Sequence, residues 1–337
     1  MNSTASFLQL QKFKVTPLRH LACVLFAVAA SSPAFAQPSE AFPCPVIKFV
    51  VPYPPGGSSD MLARLMVPGL TQRLGTTVVV ENKTGAAGNI GTAAVSTSKA
   101  DGCTWLLGNS TNVVISRNLY QLASDPMAAL TPVAEAATVP MVLYVNAQLP
   151  VRDVKSFIDD LRAHPGKSYA SPGSGTPHHL LGEQLKLDHK LELTHVPYRG
   201  SGPAIQDVLA GHVAFAFEST SSIVPHLAGG RIRALATTGD QRSTALPDVP
   251  TMKELGFPKF VVTNWYGVFV PKGTPAPLVV RLNTGIHDTL KAPEIAEALT
   301  KLDSQNVGYD ATQYQQFVKK EGPLWESLVK RTSARVD

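Results

Sequence analysis

The chain has 337 residues and a formal net charge of +5. This length exceeds what one hydrophobic core usually supports, so two domains are expected. The Lys and Arg residues are scattered and form no stripe with interleaved aromatic residues. The sequence therefore lacks the pattern of a nucleic-acid-binding protein, and we expect no nucleic-acid partner. After the N-terminal region, no segment reaches the roughly 18 apolar residues of a membrane-spanning helix, so we expect no membrane insertion.

The first 36 residues have the pattern of an export signal. Three basic residues precede an apolar run over 21–30, and a small-x-small cleavage site ends at Ala36. Removal of three cations and no acidic residue lowers the formal net charge from +5 to +2. We therefore expect an exported protein whose mature chain begins at Gln37.

The first predicted strand, over 47–51, is followed by "YPPGGSSD", residues 53–60, which we call loop 1. Apolar residues then recur at three- and four-residue spacing over 61–70, which predicts a helix. The first N–H groups of such a helix lack partners and lie at the positive end of its dipole. The two glycines let a ligand approach the backbone, and Ser58 or Ser59 can cap the helix or donate a hydroxyl. Loop 1 is a candidate anion site, against the alternative of an ordinary capped helix.

A strand over 77–81, a helix and a strand over 104–107 complete a predicted βαβαβ unit with a parallel sheet. Cys44 lies three residues before the first strand, and Cys103 immediately precedes the third. If these strands are parallel neighbours, the two cysteines lie at one sheet edge, within bridging distance. We predict a disulfide, which suits an exported protein, against the alternative of two buried thiols.

Polar loops follow the second and third predicted strands at the sheet edge where ligands usually bind. The loop 82–91 carries three glycines but lacks the G-x-G-x-x-G order of dinucleotide sites. We expect it to let the backbone and Asn89 approach a cleft. The loop 108–112 adds short polar groups, against the alternative of an ordinary polar loop.

Two long apolar runs, over 132–147 and 261–270, enclose a second alternating series of helices and strands. If both runs cross between lobes, the chain enters a second lobe once and returns once, which predicts a hinge of two strands. Helices over 276–290 and 311–330 then complete the first lobe. The fold class is α/β, with each lobe a mostly parallel sheet flanked by helices. The predicted boundaries are 1–36 for the signal peptide, 37–141 and 265–337 for lobe 1, and 142–264 for lobe 2.

The second lobe contains a similar turn, "SPGSGTPHH", residues 171–179, which we call loop 2. Thr176 is a natural N-cap, and Pro177 takes the first helical position, where its missing N–H costs nothing. The free N–H groups of His178 and His179 are then expected to point out of the helix end. Two such loops suggest that each lobe offers a helix N-terminus to one shared cleft.

Acidic residues stand close to both loops. Asp60 lies in the first turn of a helix, where its carboxylate either points away from a bound anion or binds a cation on the ligand. Glu218, after the predicted strand 213–217, has the same alternatives. Neither loop contains Lys or Arg, so neutral donors must bind the anion. Each hydrogen bond to a charged group contributes roughly 1.5–3 kcal/mol. A few such bonds supply the ~8 kcal/mol of a micromolar complex.

Catalytic and metal sites find little support in the sequence. Ser174 and the neighbouring histidines suggest a hydrolase, but "PGSGT" is not G-x-S-x-G, and that motif occurs nowhere else in the chain. The adjacent pair His178 and His179 cannot place both rings on one helix face, as zinc ligands at i and i+4 do. We predict no catalytic residue, no metal and no cofactor.

Six segments resemble, in order and along nearly the whole mature chain, the Bug-type receptors of tripartite tricarboxylate transporters. They are "VPYPPGGSSDMLARL", "VVVENKTGAAGNIG", "DGCTWLLG", "YASPGSGTPHHLLGEQL", "HVPYRGSGPAIQDVLAGHV" and "NWYGVFVPKGTPAP". The resemblance implies a periplasmic solute-binding protein of the two-lobed Venus flytrap fold, which closes on a small organic acid.

The resemblance also implies which residues contact the ligand. Two departures from the family pattern are Glu218, where many relatives have Asp, and Cys103, where many have Tyr. Arg199, in the Pro-Tyr-basic-Gly segment, is expected to be structural. The implied ligand-binding residues are Tyr53, Pro55, Gly56, Gly57, Ser58, Ser59, Asp60, Asn89, Ser110, Thr111, Ser171, Gly173, Ser174, Gly175, Thr176, His178 and Glu218.

We therefore expect a periplasmic receptor, monomeric and without catalytic activity, that traps a small mono- or dicarboxylate. It would deliver the closed form to the subunits of an inner-membrane tripartite tricarboxylate transporter. Two alternatives remain: a sensory receptor for a membrane kinase, and a secreted hydrolase that uses Ser174 and a histidine. The sequence does not identify the carboxylate, because backbone donors contact only its acid group.

Overall fold

A computed structural model describes residues 42–332 and residue 334. The export signal predicted over 1–36 lies outside these described residues. Within the described part of the chain, no helix is long and apolar enough to span a membrane.

The strands form one mixed nine-stranded sheet. Most of their bounds agree with the sequence prediction to within two residues. The strands are β1 Val46–Val51, β2 Thr77–Asn82, β3 Thr104–Asn109, β4 Leu130–Asn146, β5 Lys167–Ser171, β6 Leu193–Pro197, β7 Phe215–Ser219, β8 Ile232–Thr237 and β9 Thr263–Pro271.

Helices connect most of the strands, and several begin directly after a strand ends. The helix predicted over 276–290 is confirmed with the same bounds. A helix over 220–227 was not predicted, because Pro225 inside it favours a loop in the sequence. The helices are α1 Ser58–Leu74, α2 Asn89–Ser96, α3 Pro126–Ala129, α4 Val154–Ala163, α5 Pro177–His189, α6 Ser201–Ala210, α7 Thr220–Leu227, α8 Ala276–Leu290, α9 Pro293–Lys301 and α10 Ala311–Thr332.

The strand order is β2-β1-β3-β9-β4-β7-β5-β6, and β8 pairs with β4. β1 is parallel to β2 and β3, and β5 is parallel to β6 and β7. β4 and β9 run antiparallel to their neighbours between these two parallel parts. The predicted α/β class, with two mostly parallel parts flanked by helices, is confirmed, and both parts belong to the same mixed sheet.

β4 is the strand that links the two parallel parts. Up to Pro140 it pairs with β9, and from Met141 it pairs with β7 and β8 instead. Within the part of the chain that the structure describes, β9 pairs only with β3 and with the first part of β4. The first apolar run, over 132–147, was predicted to cross from one lobe to the other, and β4 does pass from one parallel part of the sheet to the other. The lobe boundaries 37–141, 265–337 and 142–264 stay a prediction.

The predicted disulfide between Cys44 and Cys103 is present, with a Cα–Cα distance of 6.0 Å. Because β1 and β3 are parallel neighbours, the residues that precede them lie at the same edge of the sheet. The bond closes a loop with a sequence separation of 59 residues. Chain-entropy arguments give a bond of this span about 4 kcal/mol of stabilisation.

Candidate ligand-binding site

Loop 1 leads from β1 into α1 and leaves backbone donors free. Gly57 is the N-cap and no side chain caps the helix, so of the two roles given for Ser58 and Ser59 the capping role does not occur. The first N–H of this region to donate into the backbone is that of Met61, to the Gly57 carbonyl at 2.9 Å. Within residues 42–332, the N–H groups of Ser58, Ser59 and Asp60 have no hydrogen-bond partner. Loop 1 thus presents three consecutive amide donors at a helix N-terminus.

The carboxylate of Asp60 braces loop 1 from its inner side. Its Oδ2 accepts from the Gly56 N–H and from Arg64 Nε, each at 2.9 Å, and its Oδ1 accepts from Asn82 Nδ2 at 2.9 Å. The hydrogen bond from Arg64 is the main reason that the pKa of Asp60 falls to about 2. Asp60 is buried and does not line the cavity described below. Of its two predicted alternatives, the geometry agrees with a carboxylate that points away from the ligand.

Loop 2 leads from β5 into α5 and is held by its own side chains. Thr176 is the N-cap, as predicted, and its Oγ1 accepts from the His179 N–H at 3.4 Å. His179 Nδ1 in turn accepts from the Gly175 N–H at 3.1 Å. The Gly173 N–H donates to Ser171 Oγ at 3.2 Å. The expectation that the N–H groups of both histidines are free therefore holds for His178 only.

Two stacked histidine rings lie beside loop 2. The ring centroids of His179 and His195 are 3.9 Å apart and nearly parallel. Burial lowers the pKa of His179 to about 4, so this ring is neutral at neutral pH. His195 Nε2 lies 2.7 Å from Ser171 Oγ. This contact joins the first residue of loop 2 to β6, and Ser171 is fully buried.

A third helix N-terminus, which the predicted site does not include, belongs to residues 198–202, here called loop 3. The Tyr198 N–H donates to the Ser171 carbonyl at 2.9 Å, and the Gly200 N–H donates to the Pro172 carbonyl at 3.1 Å. Gly200 has a φ of 107°, which side-chain-bearing residues rarely adopt. In the described residues the N–H groups of Ser201 and Gly202 have no partner. The sequence feature that could have predicted this helix N-terminus is "RGSG", residues 199–202, followed by a helical pattern.

Loops 1, 2 and 3 meet at a cavity of about 480 Å³, a size typical of small-molecule sites. The predicted residues that line it are Tyr53, Pro55, Gly56, Gly57, Ser58, Ser59, Thr111, Thr176 and His178. The predicted residues that do not line it are Asp60, Asn89, Ser110, Ser171, Gly173, Ser174, Gly175 and Glu218. Lining residues that were not predicted are Pro54, Met61, Asn109, Pro172, Arg199, Gly200, Ser201, Gly202, Ile205, Ser222, Asn264 and Tyr266.

Hydrogen-bonded polar residues form another part of the cavity wall. Tyr53 OH donates to Asn109 Oδ1 at 3.0 Å, and Asn264 Nδ2 donates to Tyr266 OH at 3.0 Å. Burial raises the pKa of both tyrosines, so both hydroxyls keep their protons. Ser110 contributes indirectly, because its hydroxyl donates to Asn264 Oδ1 at 3.1 Å.

Glu218 belongs to the site through His178. Its Oε1 lies 3.0 Å from His178 Nε2 and also accepts from the Ser219 N–H at 2.9 Å. Burial raises the pKa of Glu218, but the attraction and hydrogen bond of His178 outweigh it, and the net shift is downward. Glu218 is therefore ionised at neutral pH and orients a histidine in the cavity wall.

The glycine-rich loop 82–91 reaches the cavity through Tyr53. A Cβ built on Gly88 would lie 3.1 Å from the Tyr53 ring carbon Cζ, so this position keeps the ring in place. Asn89 itself lines a separate small cavity of about 80 Å³ with Thr92 and Ser96. The expected approach of Asn89 to the cleft does not occur.

Among the described residues, no group of three His, Cys, Asp or Glu side chains is placed to hold a metal ion.

Comparison with known proteins gives this arrangement a family. The sequence model described as "Tripartite tricarboxylate transporter family receptor" matches residues 62–333. The chain belongs to this family. It is 40% identical to the "UPF0065 protein in tcbD-tcbE intergenic region" of Pseudomonas sp. strain P51, over 92% of this chain and 93% of that one. It is 36% identical to Protein BugT of Bordetella pertussis, over 94% of this chain and 98% of that one.

Solved structures show the same two-lobed fold of periplasmic binding proteins. The periplasmic binding protein BugD superposes with a TM-score of 0.78 at 31% identity, over 87% of this chain and 99% of its own. R. palustris Rpa4515 with adipate superposes with a TM-score of 0.81 at 32% identity, over 88% of this chain and 100% of its own. MatC from Rhodopseudomonas palustris with bound malate superposes with a TM-score of 0.78 at 31% identity, over 86% of this chain and 100% of its own. The family is therefore one of periplasmic solute-binding receptors, and adipate and malate occupy two of these relatives.

Proposed function

We propose that this protein captures a small mono- or dicarboxylate between its two lobes in the periplasm and delivers it to an inner-membrane tripartite tricarboxylate transporter. In this proposal it acts as a monomer and performs no catalysis. The lobes comprise residues 37–141 with 265–337 and residues 142–264. The family membership and the bound acids of two relatives support this proposal.

The observation that carries the proposal is the convergence of three helix N-termini on one cavity. The N–H groups of Ser58, Ser59, His178, Ser201 and Gly202 lack partners in the described residues, and each of these residues lines the cavity. Such N–H groups and the positive ends of helix dipoles bind anions. Among the described residues no Asp or Glu side chain lines the cavity, and the nearby carboxylates of Asp60 and Glu218 are hydrogen-bonded to Arg64 and His178.

The proposal can be tested by calorimetry and thermal unfolding of the mature chain from Gln37. Adipate and malate serve as probes, with adipamide and malamide as matched neutral controls. A ligand that binds only the folded state raises the unfolding temperature by mass action. We expect the acids to raise it and the diamides to raise it much less. Equal shifts for acid and amide would refute carboxylate recognition.

The transport role needs a separate experiment, because a sensory receptor would bind the same ligand. Vesicles that contain the transporter subunits should take up a bound acid only when this protein is added. Uptake that is independent of the protein would favour the sensory alternative. The hydrolase alternative gains no support from Ser174, which does not line the cavity.

A further inference from the structure

Arg199 stands out among the residues around the cavity. Of the described residues it is the only Lys or Arg that lines the cavity, and its side chain is exposed to the cavity space and solvent. It follows β6 and directly precedes Gly200, the N-cap of α6. The backbone hydrogen bonds of Tyr198 and Gly200 to the end of β5 fix the position of this residue beside loop 2.

The guanidinium of Arg199 is not neutralised by the protein. Among the described residues it takes part in no ion pair and no hydrogen bond. The nearest acidic residue on α6, Asp207, accepts instead from Tyr198 OH at 2.5 Å and lies 3.4 Å from His212. These contacts do not agree with the structural role expected for Arg199.

The two buried carboxylates close to the cavity are also engaged elsewhere. Asp60 is bound by Arg64 and the Gly56 N–H, and Glu218 is bound by His178. Arg199 is thus the one Lys or Arg side chain among the described residues that line the cavity, and no carboxylate of these residues is bound to it.

We propose that Arg199 binds a second anionic group of the ligand, so that the cavity selects acids that carry a negative charge at both ends. The inference rests on the proposed function, since the amide donors must first hold one carboxylate. A planar guanidinium matches a carboxylate with two parallel hydrogen bonds, which favours this group over a neutral end. A positively charged end meets repulsion from the same side chain.

The selectivity can be measured with three ligands of equal chain length that differ at one end. Adipate ends in a carboxylate, hexanoate in a methyl group and 6-aminohexanoate in an ammonium. We expect the unchanged protein to bind adipate at least about tenfold more tightly than hexanoate, because a hydrogen bond between charged groups contributes at least that factor in affinity. We expect 6-aminohexanoate to bind most weakly.

Substitution of Arg199 should flatten this series. Arg199→Gln should lose about tenfold affinity for adipate and change hexanoate affinity little. Arg199→Glu should favour 6-aminohexanoate over adipate. Arg231→Gln is the matched control, because Arg231 is an exposed arginine without an ion pair in the described residues and does not line the cavity. This control should leave all three affinities unchanged.

The outcomes separate this inference from the proposed function. If Arg199→Gln binds adipate as tightly as the unchanged protein, Arg199 does not bind the second group, although carboxylate capture stands. An equal loss for adipate and hexanoate would also overturn the inference, because it indicates a general effect of charge. If the unchanged protein binds neither acid at millimolar concentration, the proposed function itself fails for this class of ligand.

Discussion

Loops 1 and 2 look alike in sequence but differ in how they treat their amide groups. In loop 1 no side chain caps α1, and three consecutive N–H groups stay free. In loop 2 the side chains of Thr176 and His179 occupy two N–H groups, and Pro177 removes a third. Loop 1 is therefore the richer anion site, whereas loop 2 is more rigid and offers the His178 side chain.

The difference teaches that the two halves of the site need not contribute equally. Loop 1 keeps its donors free because Asp60 braces it from behind through Gly56 and Asn82. Loop 2 is held by its own side chains, and their hydrogen bonds occupy backbone N–H groups that a ligand could otherwise use. A ligand carboxylate is thus expected to depend more on loop 1, with loops 2 and 3 completing the enclosure.

The largest effect is expected when the brace of loop 1 is removed. Asp60→Ala leaves the Gly56 N–H without its acceptor and removes one of the two acceptors of the Asn82 amide, and we expect a loss of about 3 kcal/mol in the free energy of unfolding. Urea denaturation measures it. Arg64→Ala is the control, because Arg64 is half exposed and its ion pair should contribute under about 1 kcal/mol. An equal loss of unfolding free energy in both variants would contradict the proposal that the Asp60 carboxylate stabilises loop 1 through Gly56 and Asn82.

A proline at the first helical position would make loop 1 resemble loop 2. Ser58→Pro removes one amide donor, while proline is favoured at this position and Gly57 already has extended backbone. We expect adipate affinity to fall by about 2 kcal/mol, with little change in stability, as measured by calorimetry. Ser58→Ala keeps the amide and should lose less. Unchanged affinity in Ser58→Pro would show that this donor is not used.

Loop 2 should respond less to the loss of its cap. Thr176→Ala removes the acceptor of the His179 N–H, and we expect about 1 kcal/mol of destabilisation in thermal unfolding. Thr176→Ser keeps the hydroxyl and should remain close to the unchanged protein. A loss in Thr176→Ala as large as that in Asp60→Ala would remove the contrast between the loops.

The last effect is absent at neutral pH and appears only as the pH falls. The pKa of His179 is about 4 in the folded state, below its usual 6.5. The unfolded chain therefore takes up a proton first as the pH falls. The contribution of His179 to stability is complete above pH 6.5 and is lost between pH 6.5 and 4, with a slope of at most about 1.4 kcal/mol per pH unit. His179→Gln should flatten this part of the stability curve. An unchanged slope would refute the assignment.

Much of the fold was predictable because local patterns and packing agree. The apolar run with β-branched residues over 47–51 predicted β1, and the helical period over 61–70 predicted α1. The disulfide followed from the parallel order of β1 and β3, which places Cys44 and Cys103 at one edge. The 220–227 helix escaped prediction because proline in a short segment hides a helix that tertiary packing maintains.

The candidate site was predictable where a residue acts through its backbone. Glycines and small hydroxyl residues before a helix mark loops 1 and 2, because few other residues leave a helix N-terminus open to a ligand. Other predicted side chains, such as those of Asn89 and Ser174, do not line the cavity. Side-chain direction depends on neighbours from distant parts of the chain, and local sequence does not specify it.

The sequence by itself determined the order of strands and helices, the cysteine pair and the two open helix starts, since these depend on local period, turn chemistry and connectivity. The tertiary structure decided which polar groups stay free. Long-range contacts turn Asp60 toward Asn82 and hold Glu218 on His178, while Arg199 receives no partner from the described residues. Such pairings form between residues far apart in the chain, so only the packed fold fixes where net charge remains.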